Sequence, residues 1–313
     1  MPRIAINGFG RIGRNTFKAG FGISGFEVVA VNDLTDAKTL AHLLRHDSTY
    51  HRWIKNVGHD AKNLIVEGKK IPVLAEKDPT KLPWKAMKVD VVLECTGRFT
   101  SEEGAGQHLT AGAKRVIISA PAKGGNVPTY VIGVNEKDAG KTSKIINNAS
   151  CTTNCIAPVA AIMQNEFGVK KAMMTTIHSY TADQVLQDGP HKDLRRARTS
   201  SQNIIPTTTG AAIATTETLP ELKGIFDGIS IRVPTSCVSL ADFTFLLKKK
   251  TTKEEVNAVL KKAAKHPMYK GIVEVTEEEL VSSDFVGHPA SAIVDLPFTQ
   301  VVGGDMVKVL AWY

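Results

Sequence analysis

The residue in this chain best placed to do covalent chemistry is Cys151. It closes the polar run Asn147-Asn148-Ala149-Ser150, and beyond it small and apolar residues (Ile156, Val159, Ala160, Ile162, Met163) recur at helical spacing up to Phe167. Ser150 is a good N-cap type, so Cys151 is expected in the first helical turn. Unpaired backbone N–H groups and a positive partial charge gather there. Both should lower a thiol pKa and favour a thiolate nucleophile. A free cysteine is also a common small core residue, and that is the better reading of Cys155, one turn further in.

A second chemical signature lies near the start. Ile4-Ala5-Ile6-Asn7 reads as a short buried strand, followed at once by Gly8-Phe9-Gly10-Arg11-Ile12-Gly13 and a helix from Arg11 to Ala19. This is G-x-G-x-x-G in the context of strand, turn and helix, where backbone can approach a pyrophosphate resting on the helix N-terminus. Gly8, Gly10, Arg11, Ile12 and Gly13 are therefore cofactor-site candidates. Glu27–Val31 makes a second strand, and Asp33, twenty residues past Gly13, is where an acid should bond the adenosine ribose hydroxyls. Strand-like runs follow at Ile71–Leu74, Val89–Cys95, Val116–Ser119 and Val131–Gly133. Ligands bind at carboxyl strand ends of open α/β sheets, which nominates Thr96, Gly97 and Ser119, although all three also suit ordinary turns.

These groups need two frames to hold them. The chain has 313 residues, enough for about two domains with their own cores. Residues 1–150 are expected to form an α/β Rossmann domain, doubly wound on a mainly parallel sheet. Residues 151–313 change character: β-branched runs at Met173–Ser179, Gly228–Pro234, Ser239–Leu247, Ile272–Val275, Ala292–Asp295 and Met306–Trp312 are interleaved with helical stretches Thr209–Glu217 and Lys253–Lys265. That pattern predicts an α+β catalytic domain with a mostly antiparallel sheet.

Composition narrows the setting. No apolar run approaches the ~18 residues of a spanning helix, and Met1-Pro2-Arg3-Ile4 leads straight into a strand, so neither membrane nor signal peptide is expected. Four cysteines without paired spacing fit a reducing, cytoplasmic compartment. Cys151 and Cys155 lack a second pair, and His42, His46 and His51 suit a helix face and its loop, so no metal site is expected. The net charge of +8 is dispersed, and its one triple run, Lys248-Lys249-Lys250, reads as a solvated strand end. Nucleic acid is not indicated; small phosphorylated ligands explain the charge better.

Several segments together resemble the glyceraldehyde-3-phosphate dehydrogenase family. They are Ile-Asn-Gly-Phe-Gly-Arg-Ile-Gly (6–13), Ala-Ser-Cys-Thr-Thr-Asn-Cys (149–155), Asp-Leu-Arg-Arg-Ala-Arg (193–198), Asn-Ile-Ile-Pro-Thr-Thr-Thr-Gly-Ala-Ala (203–212), Arg-Val-Pro-Thr (232–235) and Val-Lys-Val-Leu-Ala-Trp-Tyr (307–313). The resemblance implies NAD-dependent oxidative phosphorylation of D-glyceraldehyde 3-phosphate in glycolysis and gluconeogenesis, through a hemithioacetal and a thioester on Cys151. It implies His178 as the base that holds the thiolate and bonds the developing oxyanion; by itself, a histidine at a strand end is more often structural. It further implies Thr181 and Arg232 on the substrate's phosphate, Arg196 with Thr209 and Gly210 on the attacking phosphate, and Ser150 and Thr152 beside the thiol. Arg195, Arg196 and Arg198 crowd together, and the sequence does not say which points inward. Lys77 stands where the family commonly has arginine.

The resemblance also implies a homotetramer, with a long loop near 179–202 at its centre. It implies a further segment past Ala-Trp-Tyr, carrying Asn-Glu-Trp-Gly-Tyr and a closing helix, whose asparagine contacts the nicotinamide amide. Two rival readings remain at this stage. One is an erythrose-4-phosphate dehydrogenase of the same family, against which the intact Arg196, Thr209 and Gly210 set argues. The other is a non-catalytic surface- or RNA-binding protein on this fold, which need not have kept Cys151 with His178.

Overall fold

The computed structural model describes residues 1–141 and 143–313. Contacts divide the chain into two compact units, Met1–Tyr130 with Lys137–Ala149, and Val131–Glu136 with Ser150–Tyr313. Two pieces ahead of the expected 150/151 boundary thus belong to the second unit. Ser150 caps its first helix, and Val134 packs against its core.

The first unit contains β1 (Arg3–Asn7), α1 (Arg11–Gly20), β2 (Glu27–Asn32), α2 (Ala37–Arg45), β3 (His46–Asp47), β4 (His51–Arg52), β5 (Val57–His59), β6 (Asn63–Val66), β7 (Lys69–Leu74), β8 (Val91–Glu94), α3 (Glu102–Thr110), β9 (Arg115–Ile118) and β10 (Ile145–Asn147). Its main sheet has the order β10-β9-β8-β1-β2-β7-β6-β5, parallel from β10 to β7 and antiparallel beyond. Ile4, Ala5, Ile6 and Asn7 of β1 are all buried, as a parallel strand covered on both faces requires. The run at Val131–Gly133 is not a strand. Gly133 has φ +83°, and Val134 N–H closes a turn onto the Val131 carbonyl. The place beside β9 goes instead to Ile145–Asn147, in register with Val116–Ile118.

The second unit contains α4 (Cys151–Phe167), β11 (Val169–Ser179), β12 (Ile205–Thr207), α5 (Ala211–Thr218), β13 (Phe226–Val233), β14 (Leu240–Leu247), α6 (Lys253–Lys265), β15 (Val273–Thr276), β16 (Ala292–Asp295), β17 (Gln300–Val302) and β18 (Met306–Trp312). The sheet order is β12-β13-β11-β14-β18-β16-β15, with β17 on β18. Its pairs are antiparallel except β11 with β13 and β15 with β16. α4 lies in its core: Cys155, Ile156, Val159, Ala160 and Met163 are fully buried with Phe243, Phe245 and Val309. α6 begins with a reciprocal capping box between Thr252 and Glu255, which fixes its first turn. No helix among the described residues is long and apolar enough to cross a membrane.

Candidate active site and dinucleotide pocket

α4 starts at Cys151, with the Ser150 hydroxyl accepting from the Thr153 N–H at 3.1 Å. Facing it, β11 alternates with period 2, so Ala172, Met174, Thr176 and His178 all turn into the protein. His178 Nε2 lies 3.5 Å from Cys151 Sγ. The parallel register of β11 and β13 sets His178 directly beside Arg232. Fold and register thus gather a thiol, an imidazole and a guanidinium from three elements of one unit.

Hydrogen bonding fixes the imidazole's proton. His178 Nδ1 lies 2.6 Å from the Ser179 carbonyl oxygen, which can only accept. Nδ1 therefore carries the hydrogen, and Nε2 turns a lone pair to the thiol. Arg232 Nη1, 3.2 Å from Nδ1, donates instead to the Ser179 carbonyl at 3.1 Å and the Thr181 hydroxyl at 2.9 Å. Burial first, and then the Arg232 charge, push His178 down to about 4. Its ring is therefore neutral at physiological pH.

The thiol corrects the sequence expectation. Cys151 is an exposed residue by surface area, yet crowding around its sulfur raises the thiol above its ordinary value. Hydrogen bonds from Thr152 and the Arg232 charge act the other way and are smaller. The position of the sulfur at the start of α4 does not offset that burial. Cys155 is fully buried, and burial raises it further, in keeping with a core residue.

The arginine cluster resolves. Arg196 turns to the sheet edge: its Nε donates to the Thr207 hydroxyl at 2.9 Å, Nη2 to the Thr208 carbonyl at 3.1 Å and Nη1 to Asp183 at 2.6 Å. Arg198 pairs with Asp188 at 2.7 Å on the exposed side. The Thr181 hydroxyl donates to Asp183, so this carboxylate links the Arg232 and Arg196 sides. Among the described residues, Arg232 Nε is buried without a hydrogen-bond partner. Thr209 accepts from the Ala211 N–H, and Gly210 precedes α5 with open space where a Cβ would stand. The Thr152 hydroxyl is 2.8 Å from the Tyr313 hydroxyl, which also meets Thr176 at 2.6 Å. Tyr313 packs edge-on to His178, with ring centroids 5.9 Å apart. Its place beside His178 escapes sequence reasoning, because Tyr313 meets Thr152 and Thr176 across more than 130 residues of chain. Asp183 is likewise absent from the sequence expectations.

In the first unit, a cavity of about 660 Å³ opens at the carboxyl strand ends, lined by Gly8, Gly10, Asp33, Lys77 and Thr96 among others. The glycines are dictated by contact. A Cβ on Gly8 (φ +89°) would stand 2.7 Å from the Thr96 nitrogen, and one on Gly13 would stand 2.1 Å from the Gly8 oxygen. No side chain caps α1, so its first N–H groups remain for a ligand. The Asp33 carboxylate accepts from Phe9 N–H at 2.8 Å and Thr35 N–H at 3.0 Å, which aims it. An uncapped helix end, a cradle kept clear of side chains and an anchored acid fit a dinucleotide.

Other nominated residues lie differently. Ile12 is exposed on the first turn of α1, and Gly97 adopts φ +70°. Arg11 pairs with Asp47 at 3.0 Å, and the Ser119 hydroxyl donates to the Glu94 carbonyl at 3.0 Å. The pocket also takes in Asn7 and Asn32, strand-end asparagines that the motif does not single out. Among the described residues, no group of three or more His, Cys, Asp or Glu could hold a metal ion.

Comparison with known proteins agrees with this geometry. Residues 2–102 match the family described as the NAD binding domain of glyceraldehyde 3-phosphate dehydrogenase, and residues 150–313 match its C-terminal domain. The chain is 54% identical over 312 residues to the glyceraldehyde-3-phosphate dehydrogenase of Geobacillus stearothermophilus, covering 99% of this chain and 92% of that one. It is 53% identical to glyceraldehyde-3-phosphate dehydrogenase 1 of Bacillus subtilis (strain 168), with the same coverage. It is 49% identical to the chloroplastic A form of Chlamydomonas reinhardtii, over 99% of this chain and 84% of that one. Both units thus carry the same signature, and the chain belongs to the glyceraldehyde-3-phosphate dehydrogenase family of NAD-dependent oxidoreductases.

Proposed function

We propose that this chain converts D-glyceraldehyde 3-phosphate, NAD and inorganic phosphate to 1,3-bisphosphoglycerate in glycolysis, with the following division of labour. Cys151 Sγ attacks the aldehyde carbon, and its proton passes to His178 Nε2. His178 then stands as an imidazolium beside the new oxyanion and returns the proton, giving a hemithioacetal. It takes the hydroxyl proton back as the carbon loses a hydride, leaving a thioester on Cys151. A phosphate oxygen attacks the acyl carbon, the C–S bond breaks, and the proton on His178 returns to the sulfur. NAD, when bound, supplies the acceptor for the hydride. Asp33 would hold its adenosine ribose, and the N-terminus of α1 behind Gly8, Gly10, Arg11, Ile12 and Gly13 its pyrophosphate, with Lys77, Thr96, Gly97 and Ser119 around them.

Arg232 and Thr181 bind the substrate's phosphate. Arg196, Thr209 and Gly210 bind the attacking one, and Ser150 and Thr152 frame the thiol. The observation that carries this reading is the Cys151–His178–Arg232 cluster, in which a buried Arg232 Nε still lacks an acceptor. A phosphate oxygen would satisfy it. A cytoplasmic homotetramer belongs to the same reading. The test is NAD reduction followed with and without inorganic phosphate. The expected result is one stoichiometric burst without phosphate and steady turnover with it. Steady turnover to the free acid without phosphate would overturn the reading in favour of a hydrolysing relative.

A further inference from the structure

The carboxyl ends of β2, β1 and β8 carry three polar side chains in a row. Asn7 of β1 is in register with Asn32 of β2 on one side and with Glu94 of β8 on the other. All three are buried, Glu94 to 1% exposure, in a layer otherwise built of apolar residues. Such groups are costly to bury unless every donor finds an acceptor.

The hydrogen bonds run in one direction only. Backbone N–H of Glu76 donates to Asn32 Oδ1 at 2.9 Å, so Asn32 Nδ2 must be a donor; it gives to the Glu76 carbonyl at 2.9 Å and to Asn7 Oδ1 at 2.7 Å. Asn7 Nδ2 in turn gives to Glu94 Oε2 at 2.6 Å. From the other side, Trp84 Nε1–H donates to His108 Nδ1 at 3.1 Å, which puts the histidine's hydrogen on Nε2, 3.0 Å from the same Glu94 oxygen. The second oxygen, Oε1, takes the Thr96 N–H at 2.8 Å and the Thr96 hydroxyl. Two relays and one loop therefore end on a single carboxylate.

We propose that Glu94 is the positioning residue of the dinucleotide pocket. It is the common acceptor that holds the loops after β1, β7 and β8 in the arrangement NAD requires. The residues it ties down, Asn7, Asn32, Glu76 and Thr96, line the cavity, and their chain neighbours Gly8, Asp33 and Lys77 do so too. The inference rests on that cavity being the NAD site. An amide at position 94 cannot replace the carboxylate. Wherever its NH2 points, it meets donors that have no second acceptor, and neither relay can reverse: Trp84 pins one, and the Glu76 backbone pins the other.

The test is calorimetric NAD binding to Glu94→Gln, Asp33→Ala and the core control Val116→Ala. Val116 is fully buried in the core cluster that also holds Trp84, and its apolar side chain makes no hydrogen bond to the relay. Glu94→Gln is expected to raise the NAD dissociation constant about tenfold, on the scale of one to two lost hydrogen bonds. The KM for phosphate and the alkylation rate of Cys151 should stay unchanged. Val116→Ala should be thermally destabilised with unchanged NAD affinity. Equal loss of affinity in Glu94→Gln and Val116→Ala, or none in Glu94→Gln, overturns the proposal. No loss in Asp33→Ala instead overturns the reading of the cavity. Should Glu94→Gln not fold, Trp84→Phe decides. It leaves the carboxylate in place but frees His108 to turn, and should weaken NAD about two- to threefold; unchanged affinity there overturns the proposal.

Discussion

Two buried histidines in this chain sit against an acidic partner, and the directions of their hydrogen bonds set them apart. His108 is completely enclosed, with Trp84 donating to Nδ1 and Glu94 accepting from Nε2. Moving its hydrogen in either direction would leave a buried group unpaired, a cost of ~1–3 kcal/mol with nothing to offset it. His178 is also buried and has the same kind of anchor, since the Ser179 carbonyl fixes the hydrogen on Nδ1. Its other nitrogen, however, faces Cys151 Sγ, a group that can surrender a proton and becomes a nucleophile when it does. Burial and a hydrogen-bonded ring do not separate the enclosed histidine from the one proposed as base. The direction of the bonds does.

The sharpest way to break this comparison is to remove the acid from the second pair. Cys151→Ser should cut aldehyde oxidation by about 10⁴-fold or more, because a hydroxyl beside a weak base is a poor nucleophile, while NAD binding is kept. Retention of even a tenth of the rate would remove Cys151 from the chemistry. His178→Asn should slow turnover by about 10² to 10⁴. It should also strip the low-pH limb from the iodoacetamide reactivity of Cys151, leaving a simple thiol titration above the ordinary range. An alkylation profile identical to wild type would make His178 as structural as His108.

The frame around these residues was legible, and the proton direction was not. Glycine spacing, an acid at Asp33 and a helix opening at Ser150 are local signals, and each lands where the sequence puts it. Val131–Gly133 misled because a three-residue apolar run also serves as a turn, and strand β10 owes its place to pairing with distant β9. The small strands β3 to β6 are short and rich in His, Arg, Asn and Gly, without the alternation that marks a half-buried strand. The thiol's shift went the wrong way because a helix end is visible in sequence while crowding of the sulfur is not. Asp183 and Tyr313 are contacts closed by loop path and sheet register, which no spacing rule carries.

The arginines offer the next test. Arg232→Gln should chiefly weaken aldehyde binding and, by removing a positive charge beside Nδ1, let His178 titrate higher. Arg196→Gln should chiefly weaken the phosphate-dependent step. Each removes charge-assisted contacts of ~1.5–3 kcal/mol. Steady-state kinetics with both substrates varied will show it; a rise in the aldehyde KM alone in both variants would merge the two anion sites into one.

Stability should follow pH through His178. Its folded pKa of about 4 lies below the unfolded 6.5, so the unfolded chain binds the extra proton between those values. The stabilisation from keeping this ring neutral is whole above pH 6.5. It is lost as pH falls toward 4, to a limit of about 3 kcal/mol. Denaturant unfolding across that window should show the slope in wild type and a shallower one in His178→Asn. Equal slopes would mean the ring is not held in its neutral form.

Tyr313 gives the smallest effect and the finest discrimination. Its hydroxyl bridges Thr152 on α4 and Thr176 on β11, and burial raises it well above the ordinary phenol value. A phenol so raised keeps its proton throughout the working range, so Tyr313 cannot serve as a second acid or base for the pair. What it can do is hold the floor under the imidazole, through the edge-on ring contact and the two threonine hydroxyls. Tyr313→Phe keeps the ring and removes only the bridge, at a cost of ~0.5–1.5 kcal/mol. The turnover number should therefore fall by a factor of about 2 to 10, with the alkylation pH profile of Cys151 unmoved. A profile shifted by a full pH unit would mean that the proton of the thiol–imidazole pair is shared with the phenol. His178 would then no longer be the single open end that distinguishes this site from the closed relay at His108.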